Sequence, residues 1–550
     1  MIKTQLKNII DRCFLLGIEK NLWSDAAQDA YAVEVPKHKG QGDFSTNLAL
    51  IIAGKEKKKP REVAGLFVEL LELGEMIEKV DIAGPGFVNF TLRPGVWLSV
   101  LPYIAEQGEA FGRSTEGAGK KVMVEFVSAN PTGPLSIGHG RNAILGDAIA
   151  KLLETVGYDV TREYYFNNAG RQMRVLGESV KARYRELLGL DNEFPEDGYQ
   201  GDYIYDIAQA IKDEEGDGRR DGDVVFFKDK AQDAIFADID NTLKNIGIKF
   251  DTYYNEHTLY EEGLIDDVVA EFRTKDLVYE KDDATWFKTT EFGQEQDRVI
   301  IKNTGEPTYR LPDIAYHREK FRRGFDWMIN VFGADHIATV PDVLAGVRAL
   351  GLDDSKVTVV MHQFVTLLRD GKQVKMSTRK ATFITVDELL EEVGADALRF
   401  FFLMRKADSQ LEFDLDLATK ESQENPVYYV QYAHARLCSI ERLAAENGVA
   451  SAGADDKSLE RLVEEEELAL LKSMAEFPAL VSGAAHDLMP HRIIFYLMDL
   501  AAQFHSFYNK HKVLSDNGEL SGARLALCGA LKRVLANGLH LLGVRAPEKM

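Results

Sequence analysis

Residues 121–158 read KVMVEFVSANPTGPLSIGHGRNAILGDAIAKLLETVGY, and the succession of residue types in this stretch decides the fold class. Lys121 to Val127 is a short apolar run rich in valine, which predicts a buried strand. Pro131, Gly133, Pro134 and Gly138 mark the loop that follows. From His139 onward Ile144, Ala148, Ile149, Leu152, Leu153 and Val156 recur at helical spacing, and Gly157 stops the run. Strand, loop and helix in this order put a helix N-terminus, with free N–H groups and a partial positive charge, beyond the end of a parallel strand. Phosphate binds readily there. The loop contains neither GxxxxGK[ST] nor GxGxxG. It offers Ser136-Ile137-Gly138-His139, in which Gly138 leaves room for a nucleotide against the backbone and His139 can hydrogen-bond phosphate from the first turn. By themselves these four residues describe a turn closed by a capping residue.

With 550 residues the chain is too long for one core, and two to four domains are expected. The 45% hydrophobic and 28% charged fractions are those of a soluble globular protein. No run of 18 apolar residues occurs, so no membrane span or membrane partner is expected. The first residues, MIKTQLKNIIDRCFLLGIEKNLW, carry an apolar stripe among charges and predict a domain helix rather than a signal peptide. The three cysteines, Cys13, Cys438 and Cys528, are far apart in sequence, which disfavours zinc and disulfide frameworks and fits a reducing cytoplasm. A net charge of −22 argues against a nonspecific nucleic-acid binder. It leaves room for RNA bound through local patches.

Ahead of the deciding stretch, Ile2, Leu6, Ile9, Ile10, Cys13 and Phe14 stripe a first helix, and strand-like runs at Ile77–Ala83 and Phe87–Leu92 flank Gly84-Pro85-Gly86. Behind it the pattern is α/β. Residues 299–316 predict a strand, a turn and a helix start; 325–336 predict a buried strand ending in a polar cluster; 356–368 predict a further strand pair. Strands that end in polar loops are where an open α/β sheet places its ligands. Asp191 to Asp223, acidic and Gly-rich, is expected to be a surface excursion with mobile tips. From about residue 426 the apolar spacing is helical throughout, and a bundle is expected.

SIGH, preceded by VEFVSANPTGPL and followed by GRNAILGDAIAKLLETVGYDVTREYYFNNAGRQM, resembles the arginyl-tRNA synthetases, a class I family whose loop carries His-Ile-Gly-His or a close variant. Far downstream, Lys375-Met376-Ser377-Thr378-Arg379-Lys380 resembles the Lys-Met-Ser-Lys-Ser loop of that class. Residues 37–50 and 83–90 resemble the family's N-terminal domain. The tetrad Asp396-Ala397-Leu398-Arg399 and the ending LLGVRAPEKM resemble its anticodon-binding domain. The resemblance implies an α/β fold: a Rossmann-like parallel-sheet catalytic domain with insertions over 113–425, a small α+β tRNA-binding domain over 1–112, and an all-α anticodon-binding bundle over 426–550. It implies an arginine–tRNA ligase that consumes ATP, with Mg2+ on the ATP phosphates and no metal held by the protein. Arginine tRNA is the nucleic-acid partner, DNA is not, and a cytoplasmic monomer is expected.

The same resemblance distributes roles. Ser136, Gly138, His139, Lys375, Ser377 and Lys380 would serve the phosphoryl-transfer step, which needs positioning and cationic donors. Gly138, His139, Gly333, Asp335 and Met376 would hold ATP. Glu125, Ser128, Asn130, Tyr309, Asp313 and His336 would hold arginine. Glu125, Ser128 and Asn130 are expected to alternate along the strand end and share one side. Tyr309 and Asp313, four apart, are expected to share a helix face and clamp the guanidinium, although Asp313 after Pro312 also suits a helix cap. Phe87 and Asn89 would meet the outer corner of the tRNA, stacking on a splayed base and reading its edge. The plain alternative is a hairpin with Phe87 in its core. Tyr428, Tyr432 and His434 would face the RNA, the alternative being one core stripe of tyrosines. Two positions depart from the family: Ser136 stands for the first histidine of the loop, and Thr378 for the second lysine of the downstream signature. Each removes a cationic donor.

Overall fold

The computed structural model describes residues 2–25, 30–36, 38, 40–168, 170–191, 193–374, 384–453 and 456–550. The signature segment Lys375–Lys380, with Met376 and Ser377, lies outside the described residues.

The strand Lys121–Glu125 and the helix Ile137–Thr155 form where the sequence predicts them. The strand is central in a five-stranded sheet ordered Val357–His362, Trp327–Gly333, Lys121–Glu125, Asp159–Phe166, Thr252–Asn255. All four pairings are parallel. From Lys121–Glu125 the chain builds outward to one edge and then returns to build the other. The order therefore reverses between Lys121–Glu125 and Trp327–Gly333, and a crevice opens beyond their carboxyl ends. The helix packs tightly on this sheet: a Cβ on Gly146 would lie 2.3 Å from Phe126, so only glycine allows the approach.

Residues 191–223 depart from expectation. The helix Asp202–Glu215 forms inside this acidic stretch and buries Ile204, Ile207, Ala208 and Ile211. It packs against the helices Arg171–Leu187 and Val224–Asn245. Four apolar residues on one face outweigh the flanking charges.

At the N-terminus an antiparallel sheet is ordered Val33–Glu34, Phe44–Thr46, Phe87–Leu92, Ile77–Ala83, with the last two strands joined at the predicted Gly-Pro-Gly turn. The first helix, Ile2–Glu19, buries Ile2, Leu6, Ile10, Cys13 and Phe14. The short helices Pro94–Leu98 and Val100–Gln107 pack on the C-terminal helices. Asn537 Nδ2 fastens this link by donating to Gly108 O and Phe111 O at 3.1 and 3.0 Å.

The C-terminal bundle consists of Pro426–Glu446, Glu465–His486, His491–Lys510 and Gly518–Leu541. Glu465–His486 is long and apolar enough to cross a membrane by composition; here it buries Leu470, Leu471, Met474 and Phe477. The tetrad 396–399 ties the parts together. Arg399, 1% exposed, pairs with Asp147 of the loop-following helix and donates to Ile246 O at 2.9 Å and Leu542 O at 2.8 Å. Asp396 accepts from Arg545 at 2.8 Å.

Candidate active site

The strand ends at Glu125, and the chain then turns through a left-handed pair, Val127 at φ 65° and Ser128 at φ 43°. A β-branched residue at positive φ is held at a cost. Asn142, one turn into the following helix, supplies the hold. Its Oδ1 accepts from Val127 N at 2.7 Å, and its Nδ2 donates to Val331 O at 2.8 Å on the neighbouring strand. The turn corrects the expected alternation of Glu125, Ser128 and Asn130. Ser128 swings back, so that its hydroxyl donates to Glu125 Oε1 at 3.1 Å and accepts from Tyr165 N at 3.1 Å. Asn130 faces away to Gln172, 2.6 Å from Nδ2 to Oε1.

Ser136 is the N-cap of the helix, in extended conformation. Its backbone N–H donates to His139 Nδ1 at 3.3 Å, and its hydroxyl lies 3.2 Å from the same nitrogen. Since Nδ1 accepts, the ring proton of neutral His139 sits on Nε2. Burial holds His139 below the usual imidazole range, partly offset by the charge of Asp335. Among the described residues a Cβ on Gly138 would meet only Ser136 Oγ, at 3.8 Å, so their packing does not demand this glycine. Leu135 and Ser136 adjoin the chain emerging from 375–383: Val386 N donates to Leu135 O at 2.9 Å, and Ser136 bridges Thr385.

The helix Arg310–Arg322 carries Asp313 one turn in, with Tyr309 as its N-cap residue, so Asp313 is not the cap. Tyr309 is 72% exposed. Tyr309 has helical dihedrals and accepts from Asp313 N at 3.4 Å, so the two stand one turn apart as expected, but at different depths: Asp313 is buried and the Tyr309 ring is exposed. Burial, then the charges of Glu125 and Glu256, push the Asp313 carboxyl up to about 8, with Lys320 opposing. Glu256 is buried at the start of the helix Glu256–Glu261, and burial raises its carboxyl as well. The Tyr165 hydroxyl is buried among Glu256, Asp313 and Glu125, and the Glu256 carboxyl is the acceptor beside it. Three carboxylates and a tyrosine hydroxyl thus gather at one place beyond the strand ends. A cation with several donors complements these groups, and a guanidinium has five. Neither Glu256 nor Lys320 stood out in the sequence; the available signal for Glu256 was its place just after the strand Thr252–Asn255, where an α/β sheet puts ligand groups.

Gly333 closes its strand, and Asp335 and His336 follow in a 3₁₀ turn, their side chains 69% and 53% exposed. His336 packs on Phe332 with ring centroids 5.3 Å apart and lines a small cleft with Asp313, His317 and Asn330. Burial pushes His362 down to about 4, and its Nε2 lies 3.2 Å from Asn142 Nδ2.

The residues expected to meet RNA lie on two remote surfaces. Phe87 is 39% exposed at the hairpin tip, and the hairpin core is formed by Val88 and Phe90, so Phe87 is not core. Asn89 is 5% exposed, and its Oδ1 accepts from Ser45 at 2.6 Å. Tyr428 and Tyr432 are half-buried and stacked, 6.1 Å between centroids, with His505 and Arg436 against Tyr432. His434 does not join them. It is 5% exposed and its Nδ1 sits 2.9 Å from Pro547 O, because the C-terminal tail folds over this helix face.

Three family models cover the chain: arginyl tRNA synthetase N-terminal domain at 1–92, tRNA synthetases class I (R) catalytic domain at 102–412, and DALR anticodon binding domain at 430–550. The chain is 65% identical over 552 residues to the arginine–tRNA ligase of Desulfotalea psychrophila, covering 100% of both. It is 51% identical to that of Syntrophotalea carbinolica, covering 94% of each. The Thermus thermophilus arginyl-tRNA synthetase superposes with a TM-score of 0.75 at 23% identity over 100% of both chains, a likeness of fold. The chain therefore belongs to the arginyl-tRNA synthetases, class I aminoacyl-tRNA synthetases with arginine–tRNA ligase activity.

Proposed function

We propose that this chain activates L-arginine at the sheet's switch point, with the guanidinium among Asp313, Glu256 and Tyr165 and the α-ammonium toward Glu125 and Ser128. Asn130, Tyr309 and His336 complete the rim. The observation that carries this reading is the buried cluster of Glu125, Glu256 and Asp313 around the Tyr165 hydroxyl, three carboxylates beside a single lysine. ATP lies along the loop at Gly138 and His139 and along Gly333 and Asp335, and Met376 belongs to the same binding set. Mg2+ arrives as part of the substrate, ligated by the phosphates.

The arginine carboxylate attacks the α-phosphorus of ATP, a P–O bond forms, and the bond to pyrophosphate breaks. His139 donates through Nε2–H to the phosphate oxygens, held in that tautomer by Ser136. Lys375, Ser377 and Lys380 supply the remaining donors. The terminal adenosine hydroxyl of arginine tRNA then attacks the adenylate carbonyl, and AMP leaves. Phe87 engages the outer corner of the tRNA while Asn89 braces the hairpin beneath it, and Tyr428 and Tyr432 engage its anticodon arm. The domains meet near residues 112 and 425, and the enzyme works as a cytoplasmic monomer.

The test is arginine-dependent pyrophosphate exchange with and without arginine tRNA. The family resemblance implies that tRNA completes the site, so exchange should be negligible without tRNA and rapid with it. Equal rates in both conditions refute the tRNA requirement, and no exchange in either refutes the site.

A further inference from the structure

We infer that Lys320 is the positioning residue of the arginine pocket, holding Glu125 in place as an acceptor and linking the two ends of the bound amino acid. This rests on the assignment of Glu125 and Asp313 to arginine. Lys320 is fully buried. Its Nζ donates to Glu125 Oε2 at 2.5 Å and to Asn330 Oδ1 at 2.7 Å, and lies 4.3 Å above the Tyr316 ring. Lysine offers only donors, so the Asn330 oxygen must face it and the amide nitrogen must face His317, 2.9 Å away at Nε2. That nitrogen then accepts, so Nδ1 carries the proton and donates to Asp313 O at 2.8 Å. Burial, pushing His317 down to about 3, keeps the ring neutral for this task. An unbroken chain of hydrogen bonds therefore runs from Ser128 through Glu125, Lys320, Asn330 and His317 to the backbone of Asp313.

The charge count agrees. Glu125, Glu256 and Asp313 oppose one ammonium, which leaves two negative charges when all three are ionised. Arginine brings two cationic groups, guanidinium and α-ammonium. Without Lys320, Glu125 would lose its ion-pair partner and stand as a third uncompensated carboxylate beside Asp313 and Glu256. The groups facing this cluster are Glu125 and Glu163 from the sheet, Tyr165, Glu256, and Tyr316, His317 and Arg323 from the helix. Arg323 already neutralises Glu163, with Nη1 to Oε2 at 2.5 Å, so Lys320 serves the pocket side alone.

The experiment is tRNA-supported pyrophosphate exchange by Lys320→Met, Glu125→Gln, the double variant and Asp313→Asn, each with a melting curve. Lys320→Met should raise the arginine KM roughly tenfold or more, with the ATP KM within about twofold. It should also move the pH dependence of the arginine KM upward by about one unit. The double variant replaces an ion pair with neutral groups and so should fold even where Lys320→Met does not. Its arginine KM should be no worse than that of Glu125→Gln, because both changes break one link. A folded Lys320→Met with wild-type arginine KM and pH profile overturns the inference, as do losses that multiply in the double variant. A harmless Lys320→Met beside a damaging Asp313→Asn condemns Lys320 alone. A harmless Asp313→Asn condemns the arginine pocket itself.

Discussion

Asp313 holds its proton at neutral pH, because burial and the neighbouring carboxylates push it up to about 8. In the proposed site guanidinium binds the ionised form, so arginine binding should release a proton. The arginine KM should therefore fall roughly tenfold per pH unit on approach to pH 8 and level off above it. Calorimetry in buffers of different ionisation heat measures the released proton directly, and its absence would refute the linkage. Stability has the opposite dependence. The folded pKa exceeds the unfolded one, so this group's contribution is complete below about pH 4 and is lost as pH rises through about 8. Asp313→Asn should melt above wild type at pH 8, an advantage that shrinks toward pH 5, while its arginine KM rises roughly tenfold to a hundredfold. Ser136 is a milder case. Its backbone N–H, not only its hydroxyl, orients His139. Ser136→Ala should therefore slow adenylate formation only a few-fold, whereas His139→Ala should lose on the order of a hundredfold or more. Single-turnover chemistry in quenched flow separates them.

Among elements, the hairpin 77–92 divides its work by position. Phe87→Ala, at the exposed tip, should raise the tRNA KM and leave the melting temperature unchanged. Asn89→Ala leaves the Ser45 hydroxyl without its partner and should cost about 1 kcal/mol in a urea titration. An unchanged tRNA KM in Phe87→Ala would remove the hairpin tip from RNA binding. Hairpin, central strand, helix and bundle were legible in the sequence because apolar periodicity reports directly on which face is buried. The helix Asp202–Glu215 was equally periodic at 204, 207, 208 and 211, but its surrounding charges and glycines drew attention to solvent instead. The left-handed turn at 127–128 could not be read, because Val and Ser carry no mark of positive φ; Asn142, fifteen residues away, imposes it from outside. Glu256 and Lys320 were hidden for a similar reason. A charged residue on a helix predicts a solvated face until the tertiary fold closes over it.

For the molecule as a whole, Arg399 is where three parts of the chain are pinned: the helix behind His139, the insertion at Ile246, and the final turn at Leu542. Arg399→Ala should destabilise the protein by about 3–5 kcal/mol. Arg399→Lys retains the charge and loses carbonyl partners, and should fall between. Denaturation followed by near-ultraviolet circular dichroism and by exchange activity should give coincident midpoints in both, since bundle and crevice share this pin; separated midpoints would refute the coupling. A designer who wished to retarget this enzyme by transplanting another anticodon reader would inherit that bond as a compatibility condition. The incoming bundle must end its last helix with a carbonyl where Leu542 now offers one, or the graft will recognise its new tRNA with a crevice that no longer holds its shape.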